Sequence, residues 1–495
     1  MKKLRNRLIV GILAATTVST VQAQTWSAYS LTGTSAAVVP AAMTQDDSGY
    51  VYVIGTTTGS NKNMVVMKFN SSTGSLVSSQ ELGGSELEEG FDIAYGPDGM
   101  LYCLGKYQDL TNSGNPKLYV VCINTSLSVS WQQWVTAYEP NGTTLTDQLL
   151  PYRLSIAGTA QSPIVYATAQ VNDSNLHSSI NLKDPTNAKA VFYCKLTSAG
   201  VSWSGTWDGQ YGKPDHLFGT HAVSNGLVFV TQSKNTVSSF DHDRTFYTKI
   251  NGSTGAVSWS STNDSSTVND HALAQTVAHG DTVYTSMRDV PSVTSFSMYD
   301  RVLSLDGSRT SAPSTGDWGG NTYERYTTLT GMPPIYNAGL GVGYWNSQIV
   351  ALGRGTNGVG TDSIGVGDQP SIASWVRNLS NTIIDDGVDT SESNTSFRYV
   401  PEANQRDFDA ADGYLMALAR GTISANNFWF LSYKNGASPA RSEGMITLAS
   451  GYTTPPSNPS PIQVMASKNS NSAYVLLNVA NSSGVDRVAL YKFDR

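Results

Sequence analysis

Cysteine and charge are both scarce in this chain of 495 residues. Three cysteines are too few for a disulfide framework, and no Cys-x-x-Cys spacing marks a thiol-based metal or redox site. Charged residues make up 14% of the chain, with 31 basic against 38 acidic residues, which argues against nucleic acid or an anionic membrane as a general partner. No long amphipathic helical pattern is present, so we expect short strands and turns and not a helical enzyme.

The first 23 residues are typical of a secretory signal peptide. A basic front precedes an apolar or small-residue run over residues 8–21 and a small-x-small cleavage site that ends at Ala23. The run is short for a membrane anchor, which is the alternative. We therefore predict an exported protein, periplasmic, secreted or at the cell surface, with no transmembrane segment after cleavage. Loss of four basic residues leaves 27 against 38 acidic ones and takes the formal charge from −7 to −11.

A strand pattern recurs along the rest of the chain. In residues 227–259, a β-branched and aromatic run, a polar loop, a second run, a turn and the start of a third run follow one another. The first run reappears at residues 50–55, 100–105, 164–169, 282–287, 348–353, 414–419 and 473–478. Repeats of short strands at this spacing are the signature of a β-propeller, with one four-stranded blade per copy. We predict a single all-β domain over residues 24–495, an eight-bladed β-propeller, with seven blades plus an irregular copy as the alternative.

The outer strand and the chain ends complete this prediction. Val-Ser-Trp recurs at residues 129–131, 201–203 and 257–259, which predicts an outer strand whose tryptophan packs between neighbouring blades. The eighth copy stops after its third strand, while residues 24–31 are strand-like and have no blade of their own. We expect the N-terminal strand to complete the last blade and close the ring.

The cysteines fall on predicted strands. Cys122 and Cys194 occupy the same register in consecutive copies, which favours a buried packing position. Cys103 and Cys122 lie on neighbouring strands of one blade, so a disulfide between them stays open.

The second run is followed by Asn/Asp-x-x-Thr-Gly and then a tryptophan, as in residues 70–74 and in residues 251–255 with Trp259. This pattern resembles the repeats of pyrroloquinoline-quinone-type (PQQ-like) and related secreted β-propellers, and the resemblance covers most of the chain. It implies a fold more than an activity. Quinoprotein dehydrogenases with such repeats carry a vicinal cysteine pair near the cofactor, and no Cys-Cys occurs here.

The residue directly after the first run is basic in four copies, and a fifth copy has a lysine one place later. They are Lys106, Arg288, Arg354 and Arg420, with Lys234 in the fifth. Because equivalent loops of a propeller open on one face, we expect a partial basic ring that suits an anionic polysaccharide, such as a uronate-containing or sulfated glycan. The alternative is that each basic residue pairs with a neighbouring carboxylate, as Arg288 would with Asp289. The leading hypothesis is an exported binding or scaffold protein for such a glycan or for another surface protein.

The histidines support an enzyme as the alternative. Five of the six are expected in or beside loops of that same face, and His279 on the opposite one: the five are His177, His216, His221, His242 and His271. A polysaccharide lyase or hydrolase would use a histidine or tyrosine to move a proton and a cation to neutralise the uronate. The candidates are His216, His221, His242 and His271, with Arg244 and Arg288 as cations and Tyr247 or Tyr211 as the acid.

No cofactor is required by these patterns, and calcium is the one that they leave open. Residues 407–413 and 385–389 have the spacing of acidic calcium loops, although Asp-Gly turn chemistry explains most of the first. His242 with Asp241 or Asp243 would suit zinc.

Overall fold

The structure is a computed structural model, and it describes twenty-four stretches of the chain. They are residues 24–29, 37–59, 61–109, 114–138, 142, 149–172, 189–209, 215–235, 242–262, 270–290, 297–313, 322–328, 339–345, 348–356, 370–378, 383–389, 395–396, 408–411, 414–421, 427–434, 440–448, 451–453, 462–470 and 472–494. The predicted signal peptide lies outside the described residues, as do His177 and Tyr211.

Four antiparallel sheets of four strands each form the first half of the described chain, numbered here in chain order. Sheet 1 contains β2 (Val38–Gln45), β3 (Val51–Thr57), β4 (Met64–Phe69) and β5 (Leu76–Leu82). Sheet 2 contains β6 (Leu87–Tyr95), β7 (Leu101–Gln108), β8 (Lys117–Ile123) and β9 (Val129–Thr136). Sheet 3 contains β10 (Leu149–Thr159), β11 (Ser162–Asn172), β12 (Lys189–Thr197) and β13 (Gly200–Trp207). Sheet 4 contains β14 (Asp215–Val223), β15 (Gly226–Asn235), β16 (His242–Asn251) and β17 (Val257–Thr262).

Four more sheets follow. Sheet 5 contains β18 (Asp270–His279), β19 (Thr282–Val290), β20 (Ser297–Asp306) and β21 (Thr322–Thr328). Sheet 6 contains β22 (Gly339–Trp345), β23 (Gln348–Thr356), β24 (Pro370–Asn378) and β25 (Ile383–Asp389). Sheet 7 contains β26 (Thr395–Ser396), β27 (Phe408–Ala411), β28 (Tyr414–Gly421), β29 (Asn427–Lys434) and β30 (Ala440–Thr447). Sheet 8 contains β31 (Tyr452–Thr453), β32 (Gln463–Ala466), β33 (Ser472–Asn481), β34 (Asp486–Asp494) and the N-terminal β1 (Gln24–Tyr29).

This succession of antiparallel sheets confirms the predicted all-β propeller repeat. Every secondary-structure element of the described residues is a strand. The run found in the sequence is the second strand of sheets 1 to 6, and in sheets 7 and 8 it is the strand that follows two short ones, β28 and β33. The predicted pairing of the N-terminal strand is also confirmed, because β1 runs antiparallel to β34, with Ala28 opposite Leu490. No helix among the described residues is long and apolar enough to cross a membrane.

The hydrophobic core lies between neighbouring sheets. One cluster joins sheets 1 and 2 around Tyr52 and Val121, and others join sheets 2 and 3, 3 and 4, and 4 and 5. Sheet 8 packs against sheet 1 in the same manner, through a cluster that includes Tyr474 and Val53. At two sheet junctions, a backbone N–H of one sheet donates to a side-chain oxygen of the neighbouring sheet. Leu154 of sheet 3 donates to Asp92 Oδ2 of sheet 2, and Met43 of sheet 1 donates to Gln463 Oε1 of sheet 8, both at 2.7 Å.

The tryptophans of the outer strands pack between sheets, as predicted. Trp203 Nε1 donates to the carbonyl of Gly252 in the next sheet at 3.2 Å, and Trp259 Nε1 donates to that of Arg309 at 3.1 Å. A lysine on the third strand makes a parallel contact in three sheets. Lys68, Lys195 and Lys249 donate to the carbonyls of Thr125, Gly252 and Gly307, each in the sheet that follows. We call these lysine and tryptophan contacts the inter-sheet clamps.

The repeated Asn-x-x-Thr-Gly motif is a turn between the third and fourth strands. Asn251 Oδ1 accepts the N–H groups of Ser253 and Thr254, and the N–H of Gly255 bonds to the Asn251 carbonyl at 2.9 Å. Gly255 has a φ of 74°, in the left-handed region that favours glycine. The asparagine and the glycine are therefore required by the backbone of the turn.

All three cysteines are buried and free. Cys103 belongs to the core between sheets 1 and 2, whereas Cys122 belongs to the core between sheets 2 and 3. The two side chains thus lie on opposite faces of sheet 2, which excludes the disulfide that the sequence left open and confirms the packing role.

Candidate functional site

The order of strands divides each sheet into two ends. The connection from second to third strand and the connection to the next sheet lie at one end, which we call the loop end. The connections from first to second and from third to fourth strand lie at the other, the turn end. A hydrogen bond of 3.0 Å from Gly90 N in sheet 2 to Thr56 Oγ1 in sheet 1 shows that the loop ends of these neighbours lie side by side.

A β-bulge recurs at one register near the loop end. The first strand of six sheets carries one extra residue there, as between Gly90 and Asp92 in sheet 2. In each of these sheets, one residue of the second strand lies opposite the start of the bulge. The next residue along the second strand is Lys106 in sheet 2, Arg288 in sheet 5 and Arg354 in sheet 6. Thr56, Gln170 and Gln232 take this position in sheets 1, 3 and 4. The register therefore places three of the predicted basic residues at one equivalent position, within the strands and not after them.

The other two basic residues are also on second strands. Arg420 is in β28 and lies opposite Phe428 of β29, and Lys234 is in β15, opposite Asp243 of β16. Arg288 likewise lies opposite an acidic residue, Asp300. A structural ion pair within the sheet requires an acidic residue opposite the basic one. Lys234 and Arg288 each have such a neighbour, so for these two residues the ion pair stays the alternative to ligand binding.

Lys106 lies near the end of β7 and is half-buried. Its cross-strand neighbour is Glu89, but Glu89 Oε1 is bound by Lys62 Nζ at 2.5 Å. This is the one ion pair found among the described side chains, and Lys106 is not part of it. The carboxylate that lies opposite Lys106 in the sheet is therefore paired with another lysine.

The predicted histidines do not all lie at one end. His216 and His271 are each the second residue of a first strand, and His242 is the first residue of β16, so all three are at the loop end as predicted. His221 is not, because it lies opposite Val228, close to the turn end of sheet 4. A loop before residue 221 was expected, but β14 already begins at Asp215. His279 lies at the turn end, as expected, and is exposed.

His221 takes part in a polar contact between sheets 4 and 5. Its Nε2 atom and Thr276 Oγ1 are 2.6 Å apart. Burial, and secondarily the charge of Arg153, lower the pKa of His221 to about 4, so the imidazole is neutral at pH 7. The Thr276 hydroxyl fills the space beside Gly219. A Cβ at Gly219 would lie 1.6 Å from Thr276 Oγ1, so only glycine fits at this position. This contact joins two sheets through an uncharged histidine.

The other predicted catalytic groups lie in sheet 4. Tyr247 is fully buried in the core between sheets 4 and 5, beside Val230 and Val283. Burial raises the pKa of Tyr247 far above its usual range. Arg244 lies opposite Ser233, near the loop end. The catalytic roles of Tyr247 and Arg244 stay predictions.

The predicted calcium segments are strands where they are described. Asp409 lies in β27, and its Oδ2 accepts the N–H of Ala466 in sheet 8 at 2.8 Å. Asp385, Asp386 and Asp389 lie in β25. Asp243 lies beside His242 in β16, and Asp241 is outside the described residues. Within the described part of the chain, no group of three or more His, Cys, Asp or Glu side chains is placed to hold a metal ion.

Sequence reasoning missed an aromatic cluster at the loop end between sheets 1 and 2. Trp134 stacks on Tyr119 with ring centroids 5.5 Å apart and an interplanar angle of 13°, and Tyr107 meets Trp134 edge-on at 6.0 Å. The indole of Trp134 is 43% exposed. Burial raises the pKa of Tyr119 to about 12, and the charge of Glu88 contributes. The aromatic residues are visible in the sequence, but they come from three strands and share no local motif.

Comparisons with known proteins give similarity in overall structure only. No protein-family model matches the sequence, and no curated protein matches it either. Among solved structures, the β-propeller domain of the Trilobed protease from Pyrococcus furiosus aligns with a TM-score of 0.38 and 7% identity, over 82% of this chain and 97% of that one. Prolyl oligopeptidase B from Galerina marginata aligns with a TM-score of 0.41 and 10% identity, over 90% of this chain. An acylaminoacyl peptidase from Pyrococcus horikoshii aligns with a TM-score of 0.38 and 10% identity, also over 90% of this chain.

The chain spans only 56% and 58% of the lengths of these two peptidases. At TM-scores this low, the comparisons carry no argument about activity. The assignment of a propeller repeat depends on the eight successive antiparallel sheets of this chain.

Proposed function

We propose that this chain is an exported, eight-bladed β-propeller of the PQQ-like repeat type that binds an anionic glycan at its loop end. The closed ring is supported by the packing of sheet 8 against sheet 1 and by the equivalent bonds to Leu154 and Met43 at two sheet junctions. Export is supported by the signal-peptide pattern of the first 23 residues.

The observation that carries the binding proposal is the shared register of the basic residues. Lys106, Arg288 and Arg354 occupy one position beside the bulge of three separate sheets. In a closed ring these positions lie around one axis, so a polymer with regularly spaced carboxylates or sulfates contacts several of them at once. Arginine can bind a carboxylate through two parallel hydrogen bonds, which adds orientation to the charge attraction.

Lys106 gives the proposal its side-chain support. The Lys106 ammonium is available to a ligand, because the carboxylate opposite it in the sheet is already bound by Lys62. On a protein with more acidic than basic residues, such a cation also marks where a polyanion can approach without repulsion.

Retention on immobilised polysaccharides tests this proposal. The mature protein is passed over uronate-containing, sulfated and neutral glycans at increasing salt, together with the variant Lys106→Gln/Arg288→Gln/Arg354→Gln. We expect salt-sensitive retention on one anionic class and a loss of affinity of about tenfold or more in the variant. Lys468→Gln is the matched control, because Lys468 is exposed between β32 and β33, at the turn end. Equal retention of the triple variant, or none by the wild type, contradicts the proposal.

A polysaccharide lyase is the second candidate, favoured by the three histidines at the loop ends of sheets 4 and 5. His216, His242 and His271 are brought to this end by separate strands. Lyase products are unsaturated uronates that absorb in the ultraviolet, so the retained glycans can be assayed directly. Rising absorbance that is abolished by His242→Ala or His271→Ala would make the protein an enzyme. Retention without product leaves a binding protein.

A further inference from the structure

Two exposed aromatic side chains lie at the loop end of sheet 2. Trp134 is 43% exposed and Tyr138 is 39% exposed, and no other tryptophan, tyrosine or phenylalanine among the side chains that the structure describes is as exposed. They are four residues apart, at the end of β9, the outermost strand of its sheet. Large aromatic surface is costly to leave in water, so its concentration at one strand end marks a place that a ligand can cover.

The indole of Trp134 is held in a fixed orientation. It stacks on the ring of Tyr119, which lies opposite it on β8, with centroids 5.5 Å apart and an interplanar angle of 13°. Tyr119 is itself only 4% exposed, and its hydroxyl donates to Gln132 Oε1 at 2.8 Å. Tyr107 meets the indole edge-on at 6.0 Å. A ligand therefore meets an aromatic surface that is already oriented, which reduces the entropy lost on binding.

The exposed surface of Trp134 matches one sugar ring in size. A tryptophan buries up to about 250 Å² in a protein core, so the exposed part of Trp134 is about 100 Å². A specific protein interface buries about 800 Å² on each partner. The neighbours before it on β9 are the exposed Gln132 and the half-buried Gln133, so the apolar surface does not extend along the strand. The C–H face of a pyranose ring is apolar and of this size, and hydroxyl groups surround it.

Polar groups beside Trp134 suit those hydroxyl groups. Gln132 lies two residues before Trp134, on the same face of β9, and its Nε2 group is a hydrogen-bond donor. Negative charge is close as well, because the charges of Glu86 and Asp109 add to the effect of burial in raising the pKa of Tyr107. Carboxylates accept hydrogen bonds from hydroxyl groups but repel other carboxylates and sulfates. The surroundings of the indole therefore favour a sugar without charge.

We propose that Trp134 is a stacking platform for a pyranose ring of a neutral glycan, with Gln132 donating to one of the ring's hydroxyl groups. The contact uses none of the basic residues on which the anionic-glycan proposal depends. Its free energy comes from apolar area and dispersion and not from charge, so binding at this site is insensitive to salt.

Retention of the mature protein on immobilised galactomannan, xylan, β-glucan and amylose tests this site. At least one column should retain the wild type equally at low and at high salt, where charge-dependent retention is lost. Trp134→Leu, which keeps an apolar side chain and removes the ring, should weaken binding about tenfold or more, while Trp134→Phe should keep part of it. Gln132→Met should also weaken binding, since it removes the donor.

Val129→Ala is the matched control, because Val129 is 49% exposed at the turn end of the same strand, and it should be retained as the wild type is. Thermal melting of each variant shows whether it is folded. The proposal is overturned if no neutral glycan retains the wild type, or if folded Trp134→Leu is retained equally. It is also overturned if the wild type sediments as a dimer that Trp134→Leu dissociates, because a second copy of the chain would then cover the indole.

Discussion

Raising the pH above 8 should stabilise the folded chain through Lys249. This lysine is 2% exposed, and its Nζ donates to the carbonyl of Gly307 at 2.6 Å and to Asn225 Oδ1. Burial lowers the pKa of Lys249 from 10.5 to about 8, although the charges of Asp281 and Asp306 oppose the shift. The folded chain thus loses this proton at a lower pH than the unfolded chain. Stability rises with pH wherever the unfolded state binds more protons, which for Lys249 is the interval from about 8 to 10.5.

The difference between these two pKa values corresponds to about 3 kcal/mol of folding free energy. The neutral amine still has two hydrogens for the same two acceptors, so deprotonation removes the cost of a buried charge and keeps both bonds.

Urea unfolding followed by tryptophan fluorescence measures this effect in the wild type and in Lys249→Met, from neutral pH to about pH 10. Methionine has a similar length and does not titrate. The stability of the wild type relative to the variant should rise by about 2 kcal/mol over this interval. Parallel pH profiles of the two proteins would refute the reasoning, because Lys249 would then have the same proton affinity in both states.

Three further results are expected. Gly219→Ala should lower the free energy of unfolding by about 1–3 kcal/mol, because the new methyl group displaces Thr276, and Thr276→Ala should recover part of the loss; an unchanged urea midpoint would contradict this contact. Tyr102 Oη donates to Asp98 Oδ2 at 2.7 Å, so Tyr102→Phe should cost about 1–2 kcal/mol in the same assay, and no cost would mean that water replaces the bond. A thiol reagent should leave the native protein unmodified and label three cysteines after unfolding without reductant, whereas a single labelled thiol would reveal a disulfide.

Much of the fold could be predicted because its signals are local. Alternating β-branched and aromatic runs, Asp/Gly turns and the Asn-x-x-Thr-Gly motif each act over a few residues, and they are repeated with every sheet. The pairing of β1 with β34 was predictable for a different reason. The last repeat lacks an outer strand and so leaves an unpaired sheet edge, while the N-terminal segment is a strand without a sheet of its own. Pairing the two removes the exposed edge.

The candidate site was less accessible to sequence reasoning. The basic positions were found because a residue type recurs after a recognisable run. The bulge beside them was not found, since one extra residue in the first strand leaves no clear sequence signal. The same kind of uncertainty in strand boundaries misplaced His221.

The inter-sheet clamps have a direction, and this gives the two sides of each interface unequal freedom to change during evolution. The donors are side chains of one sheet, such as Lys68 and Trp259, whereas the acceptor is a main-chain carbonyl of the next, such as that of Thr125 or Arg309. Substituting the donor destroys the contact. Many substitutions on the acceptor side preserve it, because every residue has a carbonyl. Acceptor positions that the backbone of the turn does not restrict to glycine can therefore diverge in sequence while the sheets beneath them remain joined.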